Sequence, residues 1–170
     1  VPASHEPDFF EILRCLCSHD VDFIVVGGVS AVLMGAALNT FDIDIVHSRD
    51  PENIPRLQAA LQELNAIYRF QPERKLSPSE SHLVSAGHQL LMTKFGPLDV
   101  LGTIGKARSY AELAPAAITT ELEPGITIRI LNLETQIRVK EEVGAPKDLA
   151  VLPLLRRTLY EKNLADKLKH

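Results

Sequence analysis

From Asp8 to Ser18 the apolar residues Phe9, Ile12, Leu13, Leu16 and Cys17 recur at three- and four-residue spacing, which predicts an amphipathic helix. Val21 to Val26 is short, unbroken and nearly all β-branched or aromatic, the pattern of a strand buried on both faces. Gly27-Gly28 then punctuates the chain, and Val29 to Met34 reads as a short buried helix stopped by Gly35. Asp42 to Val46 alternates strictly at its start and predicts a second strand. Ile54, Leu57, Leu61 and Leu64 mark a helix over 51–64, with Pro51 tolerated in its first turn.

The stretch from Phe70 to Ser81, with two prolines and three serines, predicts a loop of the kind that is mobile over a site. His88 to Phe95 and Leu98 to Ile104 predict a hairpin joined at Gly96-Pro97, and Ile118 to Leu122 with Ile126 to Leu131 predict another around Glu123-Pro124-Gly125. From Leu133 onward the pattern is helical, broken at Gly144-Ala145-Pro146. This order predicts an α/β (α+β) fold: a mixed β-sheet flanked by helices, with a C-terminal helical tail. The expected organisation is one domain over 1–170, with a core of about 20–131 and C-terminal helices over about 132–168.

At 170 residues with 45% apolar positions, the chain can bury a core without disulfides or a structural metal. The net charge of −4 disfavours an extended surface that tracks nucleic-acid phosphates. No apolar run approaches the ~20 residues of a membrane span, and the start Val1 to His5 has no positive leader region. The expectation is a soluble cytoplasmic protein with no membrane partner. Cys15 and Cys17 read as a buried or half-buried pair of helix thiols, because a C-x-C-x-H run with His19 lacks a second ligand pair at zinc-finger spacing.

The sharpest chemical feature lies in Thr40-Phe41-Asp42-Ile43-Asp44-Ile45-Val46. Residues i and i+2 of a strand share a face, so Asp42 and Asp44 stand together while Ile43 and Ile45 turn to the core. Like charges on one face repel, and a divalent cation such as Mg²⁺ resolves that conflict with hard oxygen ligands. A strand end with both acids in water is the bland alternative. Asp99, alternating with Leu98 and Val100, is a third strand acid that fits a two-metal phosphoryl-transfer site. The Gly27-Gly28 turn between strand and helix lets backbone N–H groups approach an anion, with the Ser30 hydroxyl as a further donor. Lys140 alone reads as a solvated helix lysine, Arg156-Arg157 with Glu161 as an exposed charged face, and His82 and His88 carry no assignment.

Taken in order, Val25-Val26-Gly27-Gly28-Val29-Ser30-Ala31, Gly35, Thr40-Phe41-Asp42-Ile43-Asp44-Ile45 and Gly96-Pro97-Leu98-Asp99-Val100-Leu101 resemble the polymerase-β-type nucleotidyltransferase superfamily. Leu131-Asn132-Leu133-Glu134, Ile137-Arg138-Val139-Lys140 and Pro146-Lys147-Asp148-Leu149-Ala150 are similar to the tail of its minimal prokaryotic members, which include toxins of abortive-infection toxin–antitoxin systems. The resemblance covers roughly residues 20 to 160. It implies transfer of a nucleoside monophosphate from a nucleoside triphosphate to an acceptor hydroxyl on a tRNA, a protein or a small molecule such as an aminoglycoside.

In that scheme Asp42 and Asp44 hold Mg²⁺ (or Mn²⁺), and Asp99 joins the catalytic metal and helps deprotonate the acceptor. Gly27, Gly28 and Ser30 cradle phosphates, Lys140 neutralises the triphosphate, and Lys147 and Asp148 lie near the nucleotide. Three positions depart from the pattern. Gly27-Gly28 stands where many members have Gly-Ser. No basic residue occurs between Ala36 and Phe41, where relatives commonly carry Arg near the position of Leu38. Val151 stands where relatives are often acidic. These departures support a second reading: a catalytically silent domain that binds a partner, such as a cognate toxin or antitoxin.

Overall fold

The computed structural model describes residues 6–170; the reading made of Val1 to His5 lies outside them. Helix α1 (Phe9–Ser18) starts where Asp8 accepts a hydrogen bond from the Glu11 N–H, and it buries Ile12, Leu13 and Leu16. Strand β1 (Phe23–Val26) is buried at every position and runs into α2 (Gly27–Leu33), so the two glycines open the helix rather than precede it. β2 (Ile43–His47) and α3 (Asn53–Glu63) follow. The predicted hairpin forms β4 (His88–Thr93) and β5 (Gly96–Leu101), and the second forms β8 (Ala117–Glu123) and β9 (Ile126–Leu131). α6 (Leu133–Val143) ends at Gly144 in a left-handed conformation, and α7 (Pro146–Leu168) begins after the expected break.

Two short pairings escape sequence reading: β3 (Ile67–Tyr68) against β4, and the ribbon of β6 (Thr103–Ile104) with β7 (Arg108–Ser109). Helices α4 (Glu80–Val84) and α5 (Tyr110–Leu113) are one turn each, too short to show a period. The first hairpin also turns elsewhere than expected. Thr93 pairs with Gly96, so Lys94-Phe95 is the turn and Gly96-Pro97 lies inside β5. The Thr93 hydroxyl fixes this by donating to the Gly96 carbonyl (2.7 Å) and accepting from the Phe95 N–H (3.1 Å). Pairing of β5 with β2 begins only at Leu98, so the missing N–H of Pro97 interrupts no bond on that side. β5 ends at Leu101, short of the expected Ile104. The segment from Phe70 to Ser81 is irregular as expected, apart from one 3₁₀ turn at Pro72–Arg74 and the start of α4.

The seven-stranded sheet has the order β3-β4-β5-β2-β1-β9-β8, with β2–β5 and β1–β9 parallel and the other neighbours antiparallel. Helices α1 and α3 cover one face, packing Leu16, Leu57 and Leu61 with Val25, Ile43, Ile45, Leu98 and Val100. On the other face Ile24, Val26, Val46, Leu101 and Leu131 pack with Leu113 of α5. A third cluster joins Ala31 of α2 to Leu133 and Ile137 of α6 and Leu152 and Leu155 of α7, which anchors the helical tail. Strand alternation therefore sends Ile43, Ile45, Leu98 and Val100 into the first core and leaves Asp44 and Asp99 on the opposite face. The cysteines behave as expected: Cys15 is buried and Cys17 half-buried, both free thiols on α1. No helix among the described residues is long and apolar enough to cross a membrane.

Candidate active site

Parallel pairing of β2 with β5 sets Asp44 directly beside Asp99. Asp42 lies one residue before β2, two positions from Asp44, and each of the three acids offers an oxygen within 4.8 Å of the others. Their charges are poorly tolerated without a cation. Burial, followed by the charges of Asp42 and Asp99, pushes the Asp44 carboxyl up to about 8, despite relief from Lys140. Burial and then Asp99 also raise Asp42, opposed by Arg69 and Lys147. A closely spaced set of hard carboxylate oxygens, one of them raised by burial and by its acidic neighbours, is a donor set that fits Mg²⁺ or Mn²⁺.

A cleft of about 310 Å³ adjoins the acids and is lined by Gly27, Asp44, Lys140, Lys147 and Asp148, with Ile104, Val139 and Val143 supplying apolar wall. The helical tail thus brings Lys140, Lys147 and Asp148 to the cleft beside Asp44. Lys140 of α6 is held by Asp148 of α7 at 3.0 Å, so one role of Asp148 is to anchor a cation on the cleft. His88 also lines the cleft, but its Nε2 is engaged with the Thr103 carbonyl at 2.8 Å.

Gly27 adopts φ +67°, and a Cβ there would stand 2.4 Å from Asp44 Oδ2. Glycine at this position is what lets the β1–α2 junction lie against the carboxylate. Gly28 faces Thr40, whose Cγ2 would be 2.7 Å from an added Cβ. Ser30 departs from its expected role. It is fully buried, donating to the Leu131 carbonyl (3.0 Å) and accepting from Gln136 Nε2 (3.0 Å), so it fastens α2 to β9 and α6 and is withheld from a ligand. The Gly-Gly-x-Ser spacing could not reveal that a glutamine a hundred residues later takes the hydroxyl.

Arg69 is the site residue that sequence reasoning missed. Its Nη1 donates to Asp99 Oδ1 at 2.5 Å, and its Nη2 stands 4.0 Å from Asp42 Oδ2. Arg69 thus brings a cation to the acids from the far side of β4. Only the two-residue β3 carries it there, and two residues show no periodicity that could announce a strand.

No family model matches the sequence, and no curated protein sequence is significantly similar to it. Solved structures do resemble it. TM1012 from Thermotoga maritima, provisionally described as a nucleotidyltransferase, is 20% identical with a TM-score of 0.55, over 90% of this chain and 91% of that one. The lincosamide antibiotic adenylyltransferase LnuA, solved with lincomycin bound, is 15% identical with a TM-score of 0.56, over 87% of this chain and 94% of that one. The mixed seven-stranded sheet and the helical tail that packs against it agree with these structures: the chain has the nucleotidyltransferase fold.

Proposed function

We propose that the protein is a nucleotidyltransferase that moves a nucleoside monophosphate from a nucleoside triphosphate to an acceptor hydroxyl. The observation that carries this reading is the convergence of Asp42, Asp44 and Asp99 beside a cleft bearing Lys140 and Lys147. In the reaction the acceptor oxygen bonds to the α-phosphorus and the bridge to the β-phosphate breaks. The electron pair leaves on pyrophosphate, and the acceptor proton passes to a site carboxylate, the role we assign to Asp99. Asp42 and Asp44, together with Asp99, would hold Mg²⁺ or Mn²⁺. When bound, such an ion would supply Lewis-acid polarisation of the phosphoryl group and offset charge on the leaving group.

The remaining roles belong to the cleft. Lys140, oriented by Asp148, binds the triphosphate as a point charge, and Lys147 adds a second cation. Gly27 and Gly28 present backbone with no side chain in the way of the phosphates, and Ser30 acts through the packing of α2 alone. Positioning and electrostatic stabilisation provide most of the rate, as in phosphoryl transfer generally. Among acceptors we favour a small hydroxyl compound. A net charge of −4 disfavours an RNA-coating surface, and LnuA is an antibiotic adenylyltransferase of the same fold.

The test is incubation with each of the four nucleoside triphosphates labelled at the α-phosphate, with Mg²⁺ or Mn²⁺, and with aminoglycoside, lincosamide, tRNA and protein acceptors. Metal-dependent label on an acceptor, lost in Asp44→Asn, is the expected result. Absence of transfer to any acceptor, together with absence of nucleotide binding, would favour the silent partner-binding domain.

A further inference from the structure

Three carboxylates lie within 4.8 Å of one another, and Lys140, which relieves Asp44 from across the cleft, is itself paired with Asp148. Among the described residues, Arg69 is the one cation within 4 Å of any of the three. It is placed by the sheet rather than by chance. Leu90 of β4 pairs with Asp99 of β5, and the Arg69 backbone N–H donates to the Leu90 carbonyl at 3.1 Å. The side chain is thus delivered across β4 onto Asp99, and Nη1 is shared between Asp99 Oδ1 and the Leu91 carbonyl (3.3 Å).

The pair is mostly shielded from water, with the Arg69 side chain 19% exposed and that of Asp99 11%. A guanidinium cannot shed its charge at any relevant pH. A divalent ion bound at ~2.1 Å from Asp99 Oδ1 would therefore face a fixed positive charge within a few ångströms, in a partly desolvated site.

We infer that Arg69 is the resident counter-ion of the carboxylate cluster, and that a divalent cation enters the cluster by displacing it. This inference rests on the proposed reading of Asp42, Asp44 and Asp99 as a metal site. Arg69 has a way out. It stands at the end of β3, where the irregular stretch from Phe70 begins, and its Cζ lies 5.3 Å from the centre of the Phe70 ring, a side chain that is largely exposed. Turning outward along that ring removes the guanidinium while the backbone bond to Leu90 stays intact. The consequence is a raised threshold for metal: the site keeps its shape when empty of cations and holds free divalent ions weakly.

Two measurements test this. In the first, Mn²⁺ is titrated without nucleotide into wild type, Arg69→Gln and Arg69→Lys, and free Mn²⁺ is read by electron paramagnetic resonance. Arg69→Gln is expected to bind about tenfold more tightly or better, the scale of one charge-assisted hydrogen bond released, with Arg69→Lys nearer wild type. In the second, metal-free Tm is measured for wild type, Arg69→Gln, Asp99→Asn and the double variant. Arg69→Gln is expected to melt lower and the double variant to recover part of the loss, because the charge left uncompensated has been removed.

Equal or weaker Mn²⁺ binding by a folded Arg69→Gln would overturn the inference, and with a coupled pair in the melting cycle it would make Arg69 a positioning residue for Asp99. That result could coexist with nucleotide transfer by the wild type, and the proposed function would stand. Failure of wild type and both Arg69 variants to bind Mn²⁺ would refute the inference and the metal reading together.

Discussion

Asp44 and Asp99 are register partners on adjacent parallel strands, side by side on the face opposite the α1–α3 core. Two acids there oppose folding whenever both are ionised. Burial and the neighbouring acids raise the Asp44 carboxyl in the folded chain to about 8 from 3.8. A raised carboxyl makes its stability contribution below its unfolded pKa and loses it as pH climbs through the folded pKa, so this part of the stability declines between about pH 4 and pH 8. Asp44→Asn carries no such charge. In metal-free buffer at pH 8 it is expected to melt above wild type, by roughly 2–4 °C per kcal/mol of relieved repulsion, with the difference vanishing near pH 4. Added Mg²⁺ is expected to raise the wild-type Tm and leave the variant unmoved. Scanning calorimetry over that pH range checks both.

Gly27 and Gly28 are expected to differ in kind. Gly27→Ala meets a left-handed φ and the Asp44 carboxylate at 2.4 Å, a combination costing about 1–3 kcal/mol. Because the clash falls on a proposed metal ligand, metal affinity is expected to drop with it. Gly28→Ala meets only a methyl group of Thr40, so Thr40→Ser in the same chain is expected to restore most of its loss. Chemical denaturation with a parallel Mn²⁺ titration separates the two.

Lys140→Ala is expected to raise the KM for nucleoside triphosphate by about tenfold or more, since a charge-assisted contact is worth about 1.5–3 kcal/mol. Asp148→Asn loosens the lysine without removing it, and a smaller rise is expected. Steady-state kinetics over triphosphate concentration distinguish these from a general loss of fold, which would lower kcat first.

Ser30→Ala is expected to cost about 0.5–1.5 kcal/mol, because the Gln136 amide and the Leu131 carbonyl each lose one buried partner but keep the bond between them (2.7 Å). Metal and nucleotide affinities are expected to stay within a factor of two. A large loss of triphosphate affinity in a stably folded Ser30→Ala would return the hydroxyl to the phosphate site.

Much of the site is legible in sequence, and the reason is local. Asp42, Asp44 and Asp99 sit in or beside runs whose period-2 alternation fixes which way each points, and Gly27 lies at a junction only glycine tolerates. What escaped detection depends on register between distant strands. Arg69 reaches Asp99 through a two-residue strand, and Ser30 is taken by Gln136 across the fold; neither pairing leaves a periodic trace. The hairpin turn was displaced to Lys94-Phe95 for a related reason. A threonine hydroxyl bonding to Gly96 and Phe95 outweighed the turn preference of Gly96-Pro97.

The central claim, that these carboxylates and the adjoining cleft together bind a metal–nucleotide pair, is tested most directly by thermal-shift titration. Wild type and Asp44→Asn are titrated with each of the four nucleoside triphosphates, with and without Mg²⁺ or Mn²⁺. A ligand specific to the folded state stabilises it by about 2.7 kcal/mol at a hundredfold excess over Kd. The account predicts a shift that requires the metal and disappears in Asp44→Asn. A wild type unmoved by any nucleotide with either metal, or an equal shift in the variant, would contradict it.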